Sequence, residues 1–416
     1  MSGVILPLVS SFKQHLSIRM LHNEDLRCFA VSLLTSACYT GGYFSVCAKS
    51  EVESRKDLIL LWKGDSAPQD SDGYLAILSP EHANHWKIKS PLVHSVSGLD
   101  YLSDGDVVYI NQAGFVRTLY RRSSPHNFIL VTDQCNSYCL MCSQPPKQVN
   151  DFDRIYEHLR LIDLIDPQTR ELGITGGEPT LFKDDFLRLI KHCKDRLPGT
   201  ALHVLTNGRL FYYRDFARRL GEIGRPDMML GIPVYSDVDS EHDYVVQAKG
   251  AFEETILGLH NLARYNVPVE IRVVIHLQTY RRLPRIAEFI ARNLPFASHI
   301  ALMGMEMFGF VNANMADLWI DPHDYQAELK EATETLFLAG LNVSIYNHQL
   351  CVLHRTLWSF ARKSISDWKN IYLEPCNECS VRAECGGLFQ SATKRHSAYI
   401  RPFPSSIPSG SDSKTQ

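Results

Sequence analysis

Phe128-Ile129-Leu130-Val131-Thr132-Asp133-Gln134-Cys135-Asn136-Ser137-Tyr138-Cys139-Leu140-Met141-Cys142 decides how this chain is read. It begins as an apolar run of the kind that forms a buried strand and ends in three cysteines, spaced by three and then two residues. Four cysteines would close every bond of a zinc ion or every iron of an iron–sulfur cube, whereas three leave one corner of a cube open to another ligand. Thiols this close on one loop suit a single cluster better than disulfides, which need particular Cα separations and gain most from long loops.

Outward from this stretch the chain repeats strand, loop and helix. The strands expected are Phe128–Thr132, Glu171–Thr175, Ala201–Thr206, Met228–Tyr235, Val269–Ile275 and Ser298–Met303. Between them lie helix patterns at Phe152–Leu164, Asp184–Leu197, Tyr213–Ile223, Phe252–Tyr265 and Leu283–Asn293. Such alternation indicates a parallel sheet with helices outside, and periodicity alone leaves open whether it is doubly wound or a curved, partly closed barrel.

Polar motifs follow the strand ends. After the second strand comes Thr175-Gly176-Gly177-Glu178-Pro179-Thr180, where two glycines let backbone approach a ligand and Glu178 can add a carboxylate. The third strand ends in Leu205-Thr206-Asn207-Gly208, a dipeptide suited to a turn with positive φ. Tyr235-Ser236-Asp237 follows the fourth strand, and Met303-Gly304-Met305-Glu306 ends the sixth. Arg272 lies amid apolar residues of the fifth and needs a partner: a ligand carboxylate, Glu178, or a structural ion pair.

The rest of the chain sets bounds. At 416 residues with 45% hydrophobic and 21% charged side chains it has the composition of an ordinary globular protein with two or three domains. A net charge of −3 gives no pull towards nucleic acid or a membrane surface, so neither is expected as a partner. Met1–Met20 lacks the long apolar core and small-residue cleavage site of a signal peptide, and a cytoplasmic protein is expected. Of the 11 cysteines, Cys28, Cys38, Cys47 and Cys193 read as small buried side chains. Residues 1–125 read as a small β-rich N-terminal domain, with strands at Leu58–Trp62 and Tyr74–Leu78 and a hairpin turning at Asn111–Gly114. Arg121–Pro125 reads as the linker to a core spanning 126–320.

Beyond it, 321–401 reads as an extension in which Asp321-Pro322 starts a helix and Leu341–Tyr346 forms a strand. Cys351, Cys376, Cys379 and Cys385 follow; four thiolates fit a second, fully ligated [4Fe–4S] cluster or a structural zinc, with His348 or His354 able to replace a cysteine around zinc. Lys394-Arg395-His396-Ser397 reads as a solvated basic cluster, and 402–416, rich in Pro, Ser and Gly, as a disordered tail.

The CxxxCxxC spacing, followed by GGEP after the second strand, resembles the radical SAM superfamily. The resemblance implies an incomplete six-unit TIM-like barrel, a partial (β/α)6, with catalytic loops at the C-terminal strand ends. It implies that Cys135, Cys139 and Cys142 hold a [4Fe–4S] cluster whose open iron chelates S-adenosylmethionine, reductively cleaved to a 5′-deoxyadenosyl radical. Gly176, Gly177, Glu178 and Pro179 are implied as cofactor contacts, with Thr206, Asn207, Ser236 and Arg272 nearby. The residue before the third cysteine is aromatic in many members; here Met141 would serve as the apolar surface against adenine.

Within the superfamily the chain is most similar to HxsC-type maturases of His-Xaa-Ser peptide systems. The likeness rests on Phe128–Cys135, on Cys142-Ser143-Gln144-Pro145-Pro146-Lys147, and on Cys385-Gly386-Gly387 followed by Arg395-His396-Ser397. It implies a ribosomally made peptide substrate, a second radical SAM maturase as partner, and an electron donor such as flavodoxin or ferredoxin. It also implies that the C-terminal cysteines form a SPASM-like "twitch" extension with an auxiliary [4Fe–4S] cluster. Two other readings stay open: a radical SAM enzyme acting on a small molecule or nucleotide, and a zinc-bound interaction protein.

Overall fold

A computed structural model of the chain describes residues 30–35 and 58–404, apart from 73, 84, 111–115, 153, 364–370 and 394. Cys28, Cys38, Cys47, the hairpin turn at 111–114 and the tail from 405 onwards lie outside the described residues. The described strands form two sheets.

The N-terminal sheet has six strands: β1 (Ala30–Thr35), β2 (Leu58–Leu61), β3 (Ala76–Leu78), β4 (Leu92–Val93), β5 (Val107–Ile110) and β6 (Val116–Tyr120). Their order is β4-β3-β2-β1-β5-β6. β5 and β6 form the expected antiparallel hairpin, but β1 to β4 pair in parallel. Parallel strands need crossovers longer than a hairpin, which the stretches 62–75 and 79–91 provide without a helix among their described residues. The Arg121–Pro125 segment is tied down: the Asn127 side chain accepts from Arg121 N (2.8 Å) and donates to Arg121 O (2.9 Å) and Ser124 O (3.1 Å).

The second sheet has eight strands in the order β14-β13-β12-β11-β10-β9-β8-β7, all parallel. The first six are β7 (Asn127–Leu130), β8 (Glu171–Thr175), β9 (Ala201–Leu205), β10 (Met228–Pro233), β11 (Val269–Ile275) and β12 (His299–Gly304). Five crossover helices match the expected patterns: α1 (Arg154–Leu164), α2 (Asp184–Arg196), α3 (Arg214–Ile223), α5 (Ala251–Arg264) and α6 (Leu283–Asn293). An additional helix, α4 (Asp239–Val246), precedes α5, and a short α7 (Met315–Leu318) follows β12. The two outermost strands do not pair with each other, so the sheet is open and the architecture is that of a partial TIM-like barrel.

The sheet does not stop at residue 320. Asp321 accepts from His323 N at 3.0 Å and opens a short turn that leads into α8 (Gln326–Leu338). β13 (Val343–Tyr346) then joins β12 in parallel, and β14 (Ala361–Arg362) joins β13. The front of the expected extension is thus another β/α unit, and the ordered chain continues into the expected tail: Phe403 packs edge-on against Trp358, with ring centroids 5.2 Å apart.

The two faces of this sheet differ. Ile271, Val273, Ile300 and Leu302 join Leu259, Leu262, Ile286, Ile290 and Leu329 of the helices in one apolar core. A strand exposes alternate residues to each side, so Glu270, Arg272, His299 and Ser344 share the opposite, interior face. There Glu270 accepts from Arg272 Nη1 at 3.1 Å and lies 2.7 Å from His299 Nδ1, while His203 Nε2 stands 3.5 Å away. His299 Nε2 continues to Ser344 Oγ at 3.0 Å. Burial pushes the Glu270 carboxyl up, but the two histidines and Arg272 outweigh it and hold the group well below the usual range. Of the partners expected for Arg272, the structural ion pair is the one found; a ligand carboxylate or Glu178 is not needed to satisfy it.

Candidate active site

The cysteine loop leaves the end of β7 and is built on one buried carboxylate. Asp151 accepts from Thr132 Oγ1 (2.8 Å), Asp133 N (2.9 Å) and Gln134 Nε2 (2.8 Å), fixing the three residues before Cys135. Burial raises this acid, but those hydrogen bonds, Gln134's first, bring it below its ordinary value, so it serves as a fixed anion. The far side of the loop leans on α4, where Tyr138 N and Leu140 N donate to Val246 O (3.0 Å) and Val245 O (2.9 Å). Cys142 O accepts from Phe310 N at 2.9 Å, and Asn314 Nδ2 donates to Leu140 O at 2.9 Å, so the segment after β12 closes over the loop.

The Gly-Gly turn is stitched to the same loop. Gly177 N donates to Thr132 O and Glu178 N to Gln134 O, both at 2.7 Å. A Cβ on Gly177 would lie 2.1 Å from Gln134 O, and one on Gly176 would lie 2.8 Å from Thr132 O. The glycines are therefore demanded by the approach of two backbones, whatever ligand they also face. Pro179 begins the buried turn that follows.

Glu178 is fully buried and spends its carboxylate inside the protein. It accepts from Thr180 N (3.0 Å), Thr180 Oγ1 (2.5 Å), Thr206 Oγ1 (2.6 Å) and Asn207 N (2.6 Å). Burial raises its pKa in spite of these donors. The side chain thereby braces the second strand end against the third. That brace sets Asn207, whose Nδ2 donates to Asn136 Oδ1 at 2.6 Å and stands 4.0 Å from Cys135 Sγ. Arg209 joins it: Nη1 donates to Asn136 O and to Ser137 Oγ (3.1 Å), while Nε pairs with Glu254 at 2.6 Å.

Ser236 is also fully buried; its hydroxyl donates to Glu241 Oε2 at 2.7 Å and accepts from Val238 N at 3.2 Å at the entry to α4. Met141 is buried beside Tyr235, Val245 and Met307, an apolar wall next to Cys139. Asp151, Asn136, Arg209 and Asn314 were missed from sequence. Their only signal is position at a strand end or loop, and a polar residue in a loop is common.

The donor set suits a metal cluster. Burial pushes the Cys135 thiol up to about 12 and raises Cys139 and Cys142, the neighbouring sulfurs adding to the effect on Cys139. Buried thiols of this kind are poor thiolates unless a cation compensates them. A four-iron cube is held at its corners, and three thiols on one loop suit it.

The second cysteine group encloses a hollow of about 350 Å³ lined by Cys351, Cys376, Cys379 and Cys385 with Leu350, Tyr372 and Phe403, and none of these cysteines is in a disulfide. His348 is engaged through both ring nitrogens and His354 through Nδ1. His348 bonds Tyr325 OH and Tyr346 O, each at 2.8 Å, and His354 Nδ1 bonds Thr356 Oγ1 at 2.8 Å. A partly open cleft of about 650 Å³ lies between the two cysteine sites, at the C-terminal ends of β11, β12 and β13. Its walls include Met305, Met307 and Trp319, which pack with Met141 and Cys139, and Gln349, Gly387 and Leu388, which also line the four-cysteine hollow. No helix among the described residues is long and apolar enough to cross a membrane.

Comparison with known proteins finds likenesses over this region. A curated GTP 3′,8-cyclase of Nautilia profundicola is 25% identical over 163 residues, 38% of this chain and 49% of the relative. An Fe-coproporphyrin III synthase of Methanosarcina barkeri is 27% identical over 163 residues, 38% of this chain and 39% of the relative. The chain thus spans about half or less of these two relatives. Among solved structures, Streptococcus suis SuiB bound to S-adenosylmethionine superposes with a TM-score of 0.42 at 16% identity, covering 53% of this chain and 50% of that one. The family model that matches is that of the radical SAM superfamily, over residues 129–290, and members of this superfamily bind a [4Fe–4S] cluster and S-adenosylmethionine. The matched span holds the cysteine loop, the Gly-Gly turn and its Glu178 brace: residues 129–290 form a radical SAM superfamily domain.

Proposed function

We propose that this chain is a radical SAM peptide maturase of the HxsC type, acting on a ribosomally made peptide with His-Xaa-Ser repeats alongside a second radical SAM maturase. Cys135, Cys139 and Cys142 hold the cluster, and Gly176, Gly177 and Pro179 shape the backbone against which the cofactor lies. Asn207, set by Glu178 and Thr206, orients Asn136 beside Cys135, while Met141 supplies an apolar wall. The reduced cluster and S-adenosylmethionine supply a hydrogen-abstracting radical when bound. Cys351, Cys376, Cys379 and Cys385 hold an auxiliary cluster, the use that best suits four free thiols around one hollow. An electron donor such as flavodoxin or ferredoxin completes the system.

The observation that carries the peptide reading is the cleft: it is partly open, and it touches the walls of both cysteine sites. A chain segment can enter such a cleft and leave one side chain between the two sites. Co-expression with a His-Xaa-Ser repeat peptide, followed by mass spectrometry, tests this. Loss of hydrogen or a new linkage supports it, and an unaltered peptide beside a protein that cleaves S-adenosylmethionine sinks it. For the auxiliary site, replacing Cys376 and Cys379 together with alanine should lower bound iron by about half, since each cube holds four irons. A second reading, action on a nucleotide, is favoured by the 25% identity to a GTP 3′,8-cyclase.

A further inference from the structure

The cleft carries chemistry that the family domain does not specify. Most of its surface is apolar, with Met305, Met307 and Leu388 among its walls. Its charged lining is one-sided. Arg395 and His396 line it, and no Asp or Glu does among the described residues. The Arg395 guanidinium lies over the Trp319 ring, 5.0 Å from its centroid, which orients it without neutralising it. No ion pair of Arg395 with a carboxylate occurs among the described residues. The segment that presents it is anchored: Asp321 Oδ2 accepts from Ala398 N at 3.0 Å, and the Ser397 hydroxyl is buried against the same carboxylate. Arg395 therefore sits on a fixed support at the rim of an apolar cleft.

We propose that Arg395 is a specificity-determining residue, pairing with a carboxylate on the substrate peptide while a neighbouring bulky apolar side chain fills the cleft between the two cysteine sites. The substrate class is a peptide bearing Asp or Glu next to a large apolar residue. A guanidinium held over an indole by cation–π attraction can still turn N–H donors to a carboxylate. A nucleoside triphosphate is a poorer match, because several negative charges would meet one arginine and one histidine. The proposal rests on the peptide reading above, and its test separates the two.

The holoprotein is titrated anaerobically with two fluorescently labelled peptides of four His-Xaa-Ser repeats. Both carry Phe at one Xaa; the next Xaa is Asp in one peptide and Asn in the other. Anisotropy should show the Asp peptide binding about tenfold more tightly, the size of one charge-assisted hydrogen bond. Arg395→Gln should abolish that preference while leaving the Asn peptide's affinity unchanged, and Arg395→Lys should restore part of it. Equal binding of the two peptides to the unaltered protein, or a preference that survives Arg395→Gln, overturns the carboxylate contact and leaves the peptide reading standing. Binding of neither peptide, with GTP bound instead, overturns both.

Discussion

Glu178→Gln separates a brace from a ligand contact. The glutamate accepts four hydrogen bonds, three on Oε1 and one, from Asn207 N, on Oε2. Glutamine keeps the shape, but its amide NH₂ must face either Asn207 N–H or the three donors on the other side. The cheaper choice loses the Asn207 bond, a charge-assisted one of about 1.5–3 kcal/mol, and leaves a buried N–H without an acceptor. Removal of a buried charge returns part of this, so a net loss of about 2–4 kcal/mol is expected for local opening. In hydrogen exchange the Asn207 amide should open about 30- to 900-fold more readily, and iron should be held less firmly at the first cysteine site. A variant with unchanged exchange and unchanged iron but much weaker S-adenosylmethionine binding would refute this reasoning, because it would place the carboxylate on the cofactor.

Glu270→Gln should destabilise the barrel by about 3–5 kcal/mol in denaturant titration, since it leaves Arg272 charged and buried with no anionic partner. Because the folded state holds Glu270 low, its contribution is present above the ordinary carboxylate range and is lost as pH falls through it. His158, His242 and His276 are each pushed down to about 4 by burial. Their unfolded forms take up protons first, so the denaturation midpoint should be highest above about pH 6.5 and fall steadily towards about pH 4. Gly177→Ala should displace the cysteine loop and lower iron incorporation, because its Cβ would meet Gln134 O at 2.1 Å, whereas Gly199→Ala, with nothing within 4 Å, should leave iron content unchanged.

Elements with local signals were read well from the sequence. β8 and β11 fall at the residues expected, because each is a β-rich run bounded by polar or turn residues. α4 escaped notice because Asp239–Val246 buries His242, Val245 and Val246 on an otherwise acidic helix, which leaves no clear apolar stripe. β13 was visible as a strand, but that it continues the parallel sheet depends on α8 packing against α6, a contact between distant segments. The same limit governed the polar residues. Cys135, Gly177 and Asn207 carry recognisable spacing, whereas the partners of Glu178 and Arg272 follow from strand register, which local sequence specifies only through long-range packing.

Whether three cysteines on this loop hold a redox-active iron cluster open to S-adenosylmethionine decides the proposed chemistry. The most direct measurement is anaerobic reconstitution with iron and sulfide, followed by reduction with dithionite in the presence of S-adenosylmethionine and quantitation of iron and 5′-deoxyadenosine. The account predicts a brown protein with about eight irons that releases 5′-deoxyadenosine, and a Cys139→Ala variant that keeps about four irons and releases none. A colourless protein that takes up zinc, or release undiminished in Cys139→Ala, would contradict it.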